Sequence, residues 1–193
     1  MYNIIAICGA KRSGKDVLCK YLTKKYEYKK LYFAEPLKKA VKELFNFTDI
    51  QVGIDEENAN GDEKDNIDER WGISPRKALQ YFGTEIMQYK INELIPNANR
   101  GFFADILLSQ IVENEKYVIS DLRFLHEYDK IKDLNIIVIK VIRPSIIKKM
   151  DEHISENEYE NIPGCIELLN DGSIERFLEN FELLNIKYNI IDY

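Results

Sequence analysis

The most constraining feature of this sequence is a glycine- and lysine-containing loop close to the N-terminus. Residues 9–15 read G-A-K-R-S-G-K and match the pattern G-x-x-x-x-G-K. The continuous apolar run at residues 3–8 predicts a buried strand before the loop, and helix-spaced apolar residues follow it. In that context backbone N–H groups surround phosphates, and the helix dipole favours a bound anion. We therefore predict a P-loop (residues 9–16) for ATP, with Lys15 reaching the β- and γ-phosphates.

Asp16 occupies the position at which P-loops normally offer a hydroxyl group to Mg²⁺. A carboxylate is also a hard oxygen ligand that suits Mg²⁺, although it adds negative charge beside a triphosphate. Lys11 and Arg12 supply compensating charge, unless they form only a solvated basic turn. We predict that Asp16 is a magnesium ligand. The loop residues predicted to bind ATP are Gly9, Lys11, Arg12, Ser13, Gly14, Lys15 and Asp16.

A second element with phosphate chemistry follows an apolar run at residues 117–120. Asp121 ends this run as in a Walker-B strand, where the carboxylate holds Mg²⁺ directly or through water. Turn chemistry alone also places Asp at strand ends. Arg123 follows at the carboxyl end of the strand, where open α/β sheets bind ligands and an arginine can clamp a phosphate. With the P-loop present, we predict Asp121 as a second metal ligand and Lys15, Asp121 and Arg123 as catalytic residues.

Short apolar runs alternate with helical patterns along the chain, which predicts an α/β fold. We expect a P-loop NTPase architecture with three α/β/α layers and a central parallel sheet, formed as one domain by residues 1–193. Strands are predicted at residues 3–8, 30–33, 117–120, 136–142 and 166–169. Helices are predicted after residue 15, from Pro36, from the N-cap pair Ser74-Pro75, and at 102–112, 125–134, 144–160 and 173–184. Residues 46–70 read as an acidic insertion or mobile loop.

Composition narrows the range of partners. The 193 residues carry a net charge of -6, so no global positive field would hold a nucleic-acid backbone. Cys8, Cys19 and Cys165 are too few and too widely spaced for a disulfide framework or a zinc site. The apolar start of the chain lacks a basic leader and is interrupted at Lys11, which argues against a signal or membrane segment. We expect a cytoplasmic protein without nucleic-acid or membrane partners.

These segments together resemble the deoxynucleoside monophosphate kinases of phages and large DNA viruses, a P-loop family. The aspartate after G-K is itself typical of that family. The resemblance extends over most of the chain, and its specificity lies in the order and spacing of the segments. They are G-A-K-R-S-G-K-D at 9–16, F-A-E-P-L-K-K-A-V at 33–41, W-G-I-S-P-R-K-A-L-Q-Y-F-G-T-E at 71–85, S-D-L-R-F-L-H-E at 120–127, H-I-S-E at 153–156 and N-D-G-S at 170–173.

The resemblance implies a helical acceptor-binding excursion for a deoxynucleoside monophosphate. Lys38 and Lys39 would approach the acceptor's phosphate, although a solvated helix face explains two lysines equally well. Arg76 would pair with the monophosphate, and Gln80 with the edge of the base. These two residues are four apart, which puts them on one face of a helix. Arg123 would also contact the acceptor.

The resemblance also assigns residues around the nucleotide base and a lid. Arg143 precedes a charged, lid-like segment at 144–164 and would stack on adenine or touch the triphosphate. Asn170 and Gly172 would lie in a turn beside adenine, although N-D-G-S also reads as an ordinary turn before a helix. For the H-I-S-E segment no chemical role is implied.

The predicted reaction is transfer of the γ-phosphate of ATP, with Mg²⁺, to a deoxynucleoside 5′-monophosphate, a step in dNTP supply for DNA synthesis. Two alternatives stay open. Animal phosphomevalonate kinase has a similar loop and S-D-x-R segment, and its acceptor is also a phosphate. A P-loop nucleotide switch is the second alternative, but a switch would not need basic residues for a second anion. A viral source would place the enzyme in the host cytoplasm, and homodimer formation is open.

Overall fold

The computed structural model describes residues 4–54, 63–146 and 158–191. It divides into two compact units. The sheet unit comprises Met1–Tyr32 and Ala104–Tyr193, and the helical unit comprises Phe33–Phe103. The prediction that residues 1–193 form one domain stays a prediction.

The sheet unit is built on five parallel strands. They are β1 (Ile4–Cys8), β2 (Lys29–Leu31), β3 (Tyr117–Ile119), β4 (Ile136–Ile142) and β5 (Ile166–Leu169). Their order in the sheet is β2-β3-β1-β4-β5, so the first strand of the chain lies in the centre. In register, Ile4 pairs with Tyr117 on one side and with Ile136 on the other. All five strands had been predicted, with β2 one to two residues out of place.

The core of the sheet unit explains why β1 is apolar without alternation. All five residues of β1 are buried, so both faces of the sheet are covered, as expected for a central parallel strand. Helix α1 (Lys15–Tyr26) contributes Leu18 and Leu22 to this core. The C-terminal helix α8 (Ile174–Tyr188) contributes Phe177 and Phe181 to the same core. The prediction of a P-loop NTPase α/β/α architecture around a parallel sheet is confirmed.

The remaining helices of the sheet unit are short. The chain enters it through α6 (Phe102–Leu108), and α7 (Leu125–Ile131) links β3 to β4. A 3₁₀ turn spans Glu158–Asn161 before β5. One detail of the prediction was wrong, since helix α6 ends at Leu108 rather than at residue 112. Ile174, the first residue of α8 after the cap Ser173, is exposed.

The helical unit contains α2 (Glu35–Phe45), α3 (Asp49–Val52), α4 (Pro75–Gln80) and α5 (Ile91–Leu94). A π-helical stretch, Tyr81–Lys90, joins α4 to α5, and a 3₁₀ turn at Asn99–Gly101 follows. Ser74 caps α4 by accepting from the N–H of Lys77, and Pro75 is its first residue, as predicted. The core of this unit includes Val41, Phe47, Val52 and Ala78.

Two expectations for this unit were wrong. The sequence pattern indicates one apolar helix face formed by Leu37, Ala40, Val41 and Leu44. Leu37 and Val41 do face the core, but Ala40 and Leu44 are exposed, and Phe45, four residues after Val41, packs against the core. The stretch 46–70 was expected to lack regular structure. It contains α3, whose capping box joins Thr48 and Gln51, and a bridge between Asp68 and Ile73.

Parts of two predicted segments lie outside the described residues: 55–62 of the acidic insertion and 147–157 of the lid-like segment. The H-I-S-E segment at 153–156 falls within the second gap. Among the residues that the structure describes, no helix is long and apolar enough to cross a membrane.

Candidate active site

The topology of the sheet unit brings most of the predicted site to one edge. Since all five strands are parallel, their carboxyl ends share that edge, where open α/β sheets bind ligands. The P-loop follows β1, Asp121 and Arg123 follow β3, Arg143 follows β4, and Asn170 and Gly172 follow β5. β3 and β4 flank β1 directly, so the loops that follow β3 and β4 are neighbours of the P-loop.

The backbone of the P-loop takes conformations that its glycines permit. Gly9 has φ 140° and Gly14 has φ 110°, both in the range that side chains disfavour, and Gly14 caps the N-terminus of α1. A Cβ atom at Gly9 would lie 2.5 Å from the carbonyl oxygen of Val141 on β4. The backbone of Arg12 is also in the left-handed region, with φ 64°. The loop therefore curls tightly against β4 and opens onto the helix N-terminus, as a phosphate cradle requires.

Lys15 folds back over the loop that precedes it. Its Nζ donates hydrogen bonds to the backbone carbonyls of Gly9 at 2.9 Å and Ala10 at 2.7 Å. The N–H of Ser13 donates to the same Ala10 carbonyl at 3.2 Å. The ammonium group of Lys15 therefore lies against the backbone at the start of the P-loop.

Two side chains from other strands hold the P-loop. Asn170, buried at the end of β5, donates from Nδ2 to the carbonyl of Ser13 at 2.7 Å. Arg143, exposed at the end of β4, donates from a terminal guanidinium nitrogen to the carbonyl of Arg12 at 3.2 Å. Both residues had been predicted near the nucleotide, and both contact the loop itself. Gly172 is exposed two residues beyond Asn170.

The acidic residues of the site have the chemistry that Mg²⁺ requires. Asp16 is exposed in the first turn of α1, and Asp121 is partly buried just beyond β3. The hydroxyls of Ser13 and Ser120 are buried and lack a hydrogen-bond partner within the described chain, so two further oxygens of the site are uncommitted. Mg²⁺ usually takes one or two protein carboxylates and completes its shell with phosphates and water. The residues present therefore fit this ion.

Glu127 is a site residue that sequence reasoning missed. This buried residue of α7 accepts hydrogen bonds from the N–H groups of Arg123 at 2.9 Å and Phe124 at 3.0 Å. Burial, together with the negative charge of Asp121, raises the pKa of Glu127 to about 8. Its oxygen fixes the turn that carries Arg123. A glutamate in the first turn of a helix is a capping signal in the sequence and could have indicated this contact.

In the helical unit, the structure gives Lys38 and Lys39 different surroundings. Lys38 donates from Nζ to the carbonyl of Gly53 at 2.8 Å, at the end of α3. Lys39 forms an exposed ion pair with Glu35 one turn earlier, at 2.6 Å. Of the two, Lys38 is partly buried, whereas Lys39 is exposed.

Arg76 and Gln80 both lie on α4, one turn apart, as predicted. The guanidinium of Arg76 forms an ion pair with the carboxylate of Asp65, in which Nε contacts Oδ1 and a second nitrogen lies 3.5 Å from Oδ2. The N–H of Arg76 also donates to the carbonyl of Lys64 at 2.8 Å. Asp65 was not singled out from the sequence, because in an acidic stretch one carboxylate has no signal that distinguishes it.

Comparison with known proteins decides the family. The family model described as Deoxynucleotide monophosphate kinase matches residues 3–65 and 48–181. The chain belongs to this family. Its match includes the P-loop, both carboxylates and the arginines described above, so the site geometry lies within the shared region.

Two viral relatives agree with this assignment. One, a protein of Acanthamoeba polyphaga mimivirus named "Putative deoxynucleotide monophosphate kinase", is 36% identical over 184 residues, which cover 90% of this chain and 91% of the relative. The other is the deoxynucleotide monophosphate kinase of Enterobacteria phage T4, 25% identical over 122 residues, 61% of this chain and 46% of the phage protein. The resemblance predicted from the sequence is confirmed, and with it the assignment as a kinase.

Proposed function

We propose that this kinase transfers the γ-phosphate of ATP to a deoxynucleoside 5′-monophosphate and releases ADP and the deoxynucleoside diphosphate. The observation that carries the proposal is the P-loop with Asp16 after Lys15 in a member of the deoxynucleotide monophosphate kinase family; residues that follow β4 and β5 hold this loop. The names of its two viral relatives support the deoxynucleotide as acceptor.

Phosphoryl transfer requires alignment and charge neutralisation more than covalent chemistry from the protein. In this proposal the N–H groups of the P-loop and the ammonium of Lys15 hold the β- and γ-phosphates of ATP. Arg12 and Lys11 add positive charge from the loop, and Arg143 and Asn170 keep the loop in its curled form. An oxygen of the acceptor's phosphate attacks the γ-phosphorus directly, so no general base is needed at neutral pH.

Asp16 and Asp121 would hold Mg²⁺, which would supply positive charge to neutralise the phosphates of ATP. Both are carboxylates at the ends of neighbouring elements of the sheet unit, and hard oxygen ligands suit this ion. Glu127 of α7 accepts a hydrogen bond from the N–H of Arg123 and thereby positions this residue. Arg123 would stabilise the charge of the phosphates during transfer.

The helical unit supplies the residues proposed for the acceptor. Arg76 carries a planar guanidinium that can bind a phosphate through two nitrogens, as it now binds the Asp65 carboxylate. Lys38 adds a second positive charge within the same unit, and Gln80, one turn after Arg76, offers an amide to the edge of a base. Lys39, already paired with Glu35 in solvent, contributes less to this proposal.

A panel of acceptors tests the proposal. The purified protein is incubated with ATP, Mg²⁺ and one acceptor at a time, and the diphosphate product is identified by mass spectrometry. Deoxynucleoside monophosphates, ribonucleoside monophosphates and phosphomevalonate form the panel. We expect a diphosphate product with one or more deoxynucleotides. For Asp16→Asn we expect the dependence of the activity on Mg²⁺ concentration to differ from that of the parent. Product from phosphomevalonate alone, or ADP release without any phosphorylated acceptor, would contradict the proposal.

A further inference from the structure

A row of polar side chains runs along the helical unit, from α4 into the π-helical stretch. Its members are Arg76, Gln80, Thr84 and Gln88, each four residues after the one before, and we call them the polar row. Arg76 and Gln80 are half-buried, whereas Thr84 and Gln88 are each only 4% exposed. The buried face of the π-helical stretch is therefore polar at two consecutive turns, where apolar side chains are the rule.

The change of helix type keeps the polar row on one side of the helix. In an α-helix four residues turn through about 40° more than a full turn, so side chains at this spacing drift around the axis. A π-helix has i→i+5 hydrogen bonds and wider turns, so four residues fall short of a full turn. The switch from α4 to Tyr81–Lys90 therefore reverses the drift after Gln80. Thr84 and Gln88 stay near the side that carries Arg76 and Gln80.

The two buried members of the polar row differ in what they bind. Gln88 has a structural partner, because Nε of Arg100 donates a 3.1 Å hydrogen bond to its Oε1 and so joins the π-helical stretch to the 3₁₀ turn Asn99–Gly101. Within the part of the chain that the structure describes, no hydrogen bond involves the hydroxyl of Thr84. A hydroxyl that makes no hydrogen bond adds nothing to the stability of the unit, and it is a group that a ligand can use.

Thr84 lies beside the residues proposed for the acceptor. The preceding residue, Gly83, packs against α2, since a Cβ atom at Gly83 would lie 2.8 Å from the side chain of Leu37. Leu37 directly precedes Lys38, and Thr84 follows Gln80 by one turn. A four-residue step along a helix covers about 6 Å at most. A nucleotide whose base reaches Gln80 is therefore within one such step of Thr84.

We propose that Thr84 is a specificity-determining residue of the acceptor site, whose hydroxyl hydrogen-bonds the edge of the acceptor's base next to the amide of Gln80. The inference deepens the proposed function and rests on it. The bases differ in the order of donors and acceptors along their edges. An amide and a hydroxyl side by side can match two positions of such an edge, whereas Gln80 alone matches fewer. A base that leaves one of these groups unpaired is bound more weakly.

The test compares the bases with one another, so that an effect on the base is separated from an effect on the phosphate. For dAMP, dCMP, dGMP and dTMP, kcat/KM is measured with ATP and Mg²⁺, and the affinity is measured by calorimetric titration without ATP. The variants of the full chain are Thr84→Val, which removes the hydroxyl at nearly the same shape, Thr84→Ser, which keeps it, and Arg76→Ala. Thr84→Ala takes the place of Thr84→Val should the valine variant fold poorly. Thr23→Val is the matched control, since the Thr23 hydroxyl donates to the Lys20 carbonyl at 2.9 Å on α1.

We expect Thr84→Val to change the ratios between bases by about two- to tenfold, the range of one hydrogen bond, in both kcat/KM and affinity. Thr84→Ser and Thr23→Val should keep the ratios of the parent, and Arg76→Ala should lower all four values by a similar factor.

The proposal is overturned if Thr84→Val keeps the parent's ratios, whether its values are unchanged or fall equally for every base, or if Thr84→Ser changes the ratios as Thr84→Val does. These results leave the proposed function standing, because the parent still phosphorylates deoxynucleotides in each case. A parent that phosphorylates none of the four would contradict the proposed function and this inference together.

Discussion

The side-chain amide of Asn170 donates a 2.7 Å hydrogen bond to the backbone carbonyl of Ser13. This bond joins the end of β5 to the middle of the P-loop, and it is buried. A Cβ atom at Gly14 would lie 2.5 Å from the same amide nitrogen, so the close approach of Asn170 requires glycine at that position. The shape of the phosphate cradle therefore depends on a residue that is more than 150 positions away in the chain.

Asn170→Ala should weaken ATP binding while leaving the sheet folded. The Ser13 carbonyl would lose its buried donor, which costs about 1–3 kcal/mol, so we expect the Kd for ATP to rise about tenfold. Asn180→Ala is the matched control, because Asn180 donates a similar bond to Leu169 at 3.1 Å without contacting the loop. Calorimetric titration with ATP compares the two variants. Equal affinities would show that Asn170 does not shape the cradle.

Asp65→Asn should improve binding of the acceptor. In the structure the carboxylate of Asp65 is paired with the guanidinium of Arg76, so the acceptor's phosphate must displace this carboxylate before it can bind Arg76. We expect a lower KM for the deoxynucleotide with Asp65→Asn and a higher one with Arg76→Ala. Asp49→Asn is the control, since Asp49 pairs with Lys42 at 2.8 Å in the same unit. Steady-state kinetics with varied deoxynucleotide concentration measures the KM for the acceptor. An unchanged acceptor KM in both Arg76→Ala and Asp65→Asn would place the acceptor elsewhere.

Glu127 should act as a positioning residue for Arg123. Glu127→Ala leaves the N–H groups of Arg123 and Phe124 without their acceptor, at a cost of about 1–3 kcal/mol in stability, and should lower kcat. Glu127→Gln keeps an oxygen for both bonds and should restore most of the activity. Glu158→Ala is the control, because Glu158 accepts a 3.1 Å hydrogen bond from the N–H of Leu125, the first residue of the same helix α7, without contacting Arg123 or Phe124 through that bond. If glutamine fails to rescue, or if Glu158→Ala lowers kcat equally, the positioning role is wrong.

Asp68 should give the helical unit a pH-dependent stability. Arg70 donates to both oxygens of its carboxylate, at 2.9 and 2.7 Å, and Gln51 donates at 3.2 Å. The Arg70 side chain is the largest of the interactions that lower the pKa of Asp68 from 3.8 to about 2. Because the folded-state pKa lies below the unfolded one, the stabilisation is present above pH 3.8 and is lost as the pH falls through 2.

Asp68→Asn should therefore lower the free energy of unfolding at neutral pH, and its difference from the parent should shrink between pH 4 and pH 2. Denaturant unfolding at several pH values measures this. Asp129→Asn serves as control, since its exposed pair with Lys132 should contribute little at any pH. A difference between Asp68→Asn and the parent that stays constant with pH would exclude the carboxylate as its source.

The sequence was most informative where local chemistry and burial coincide. The P-loop, the central strand β1 and the N-cap at Ser74 each have a motif or a continuous apolar run, and all three were predicted at the right place. The order of the strands was not predicted, because a sequence pattern identifies a parallel strand but does not name its neighbours. The order β2-β3-β1-β4-β5 depends on tertiary contacts.

Tertiary contacts account for what the sequence did not predict. The π-helical stretch Tyr81–Lys90 changes the helical period after Gln80, and no residue type in the sequence predicts that change. The ion pair of Asp65 with Arg76 and the hydrogen bond from Asn170 to Ser13 each join residues that are far apart in the sequence, so no local pattern predicts them. The roles proposed for Lys38, Arg76, Gln80 and Arg123 came from the family resemblance and stay predictions.

Label transfer shows whether the P-loop delivers the γ-phosphate of ATP to a deoxynucleotide. ATP labelled in the γ-phosphate is incubated with Mg²⁺ and a deoxynucleoside monophosphate, using the parent, Lys15→Ala and, as control, Lys20→Ala from the same helix. We predict a labelled deoxynucleoside diphosphate from the parent and Lys20→Ala. Lys15→Ala, with an unchanged circular dichroism spectrum, should form almost none. Label found only in inorganic phosphate, or near-normal transfer by folded Lys15→Ala, would contradict the account.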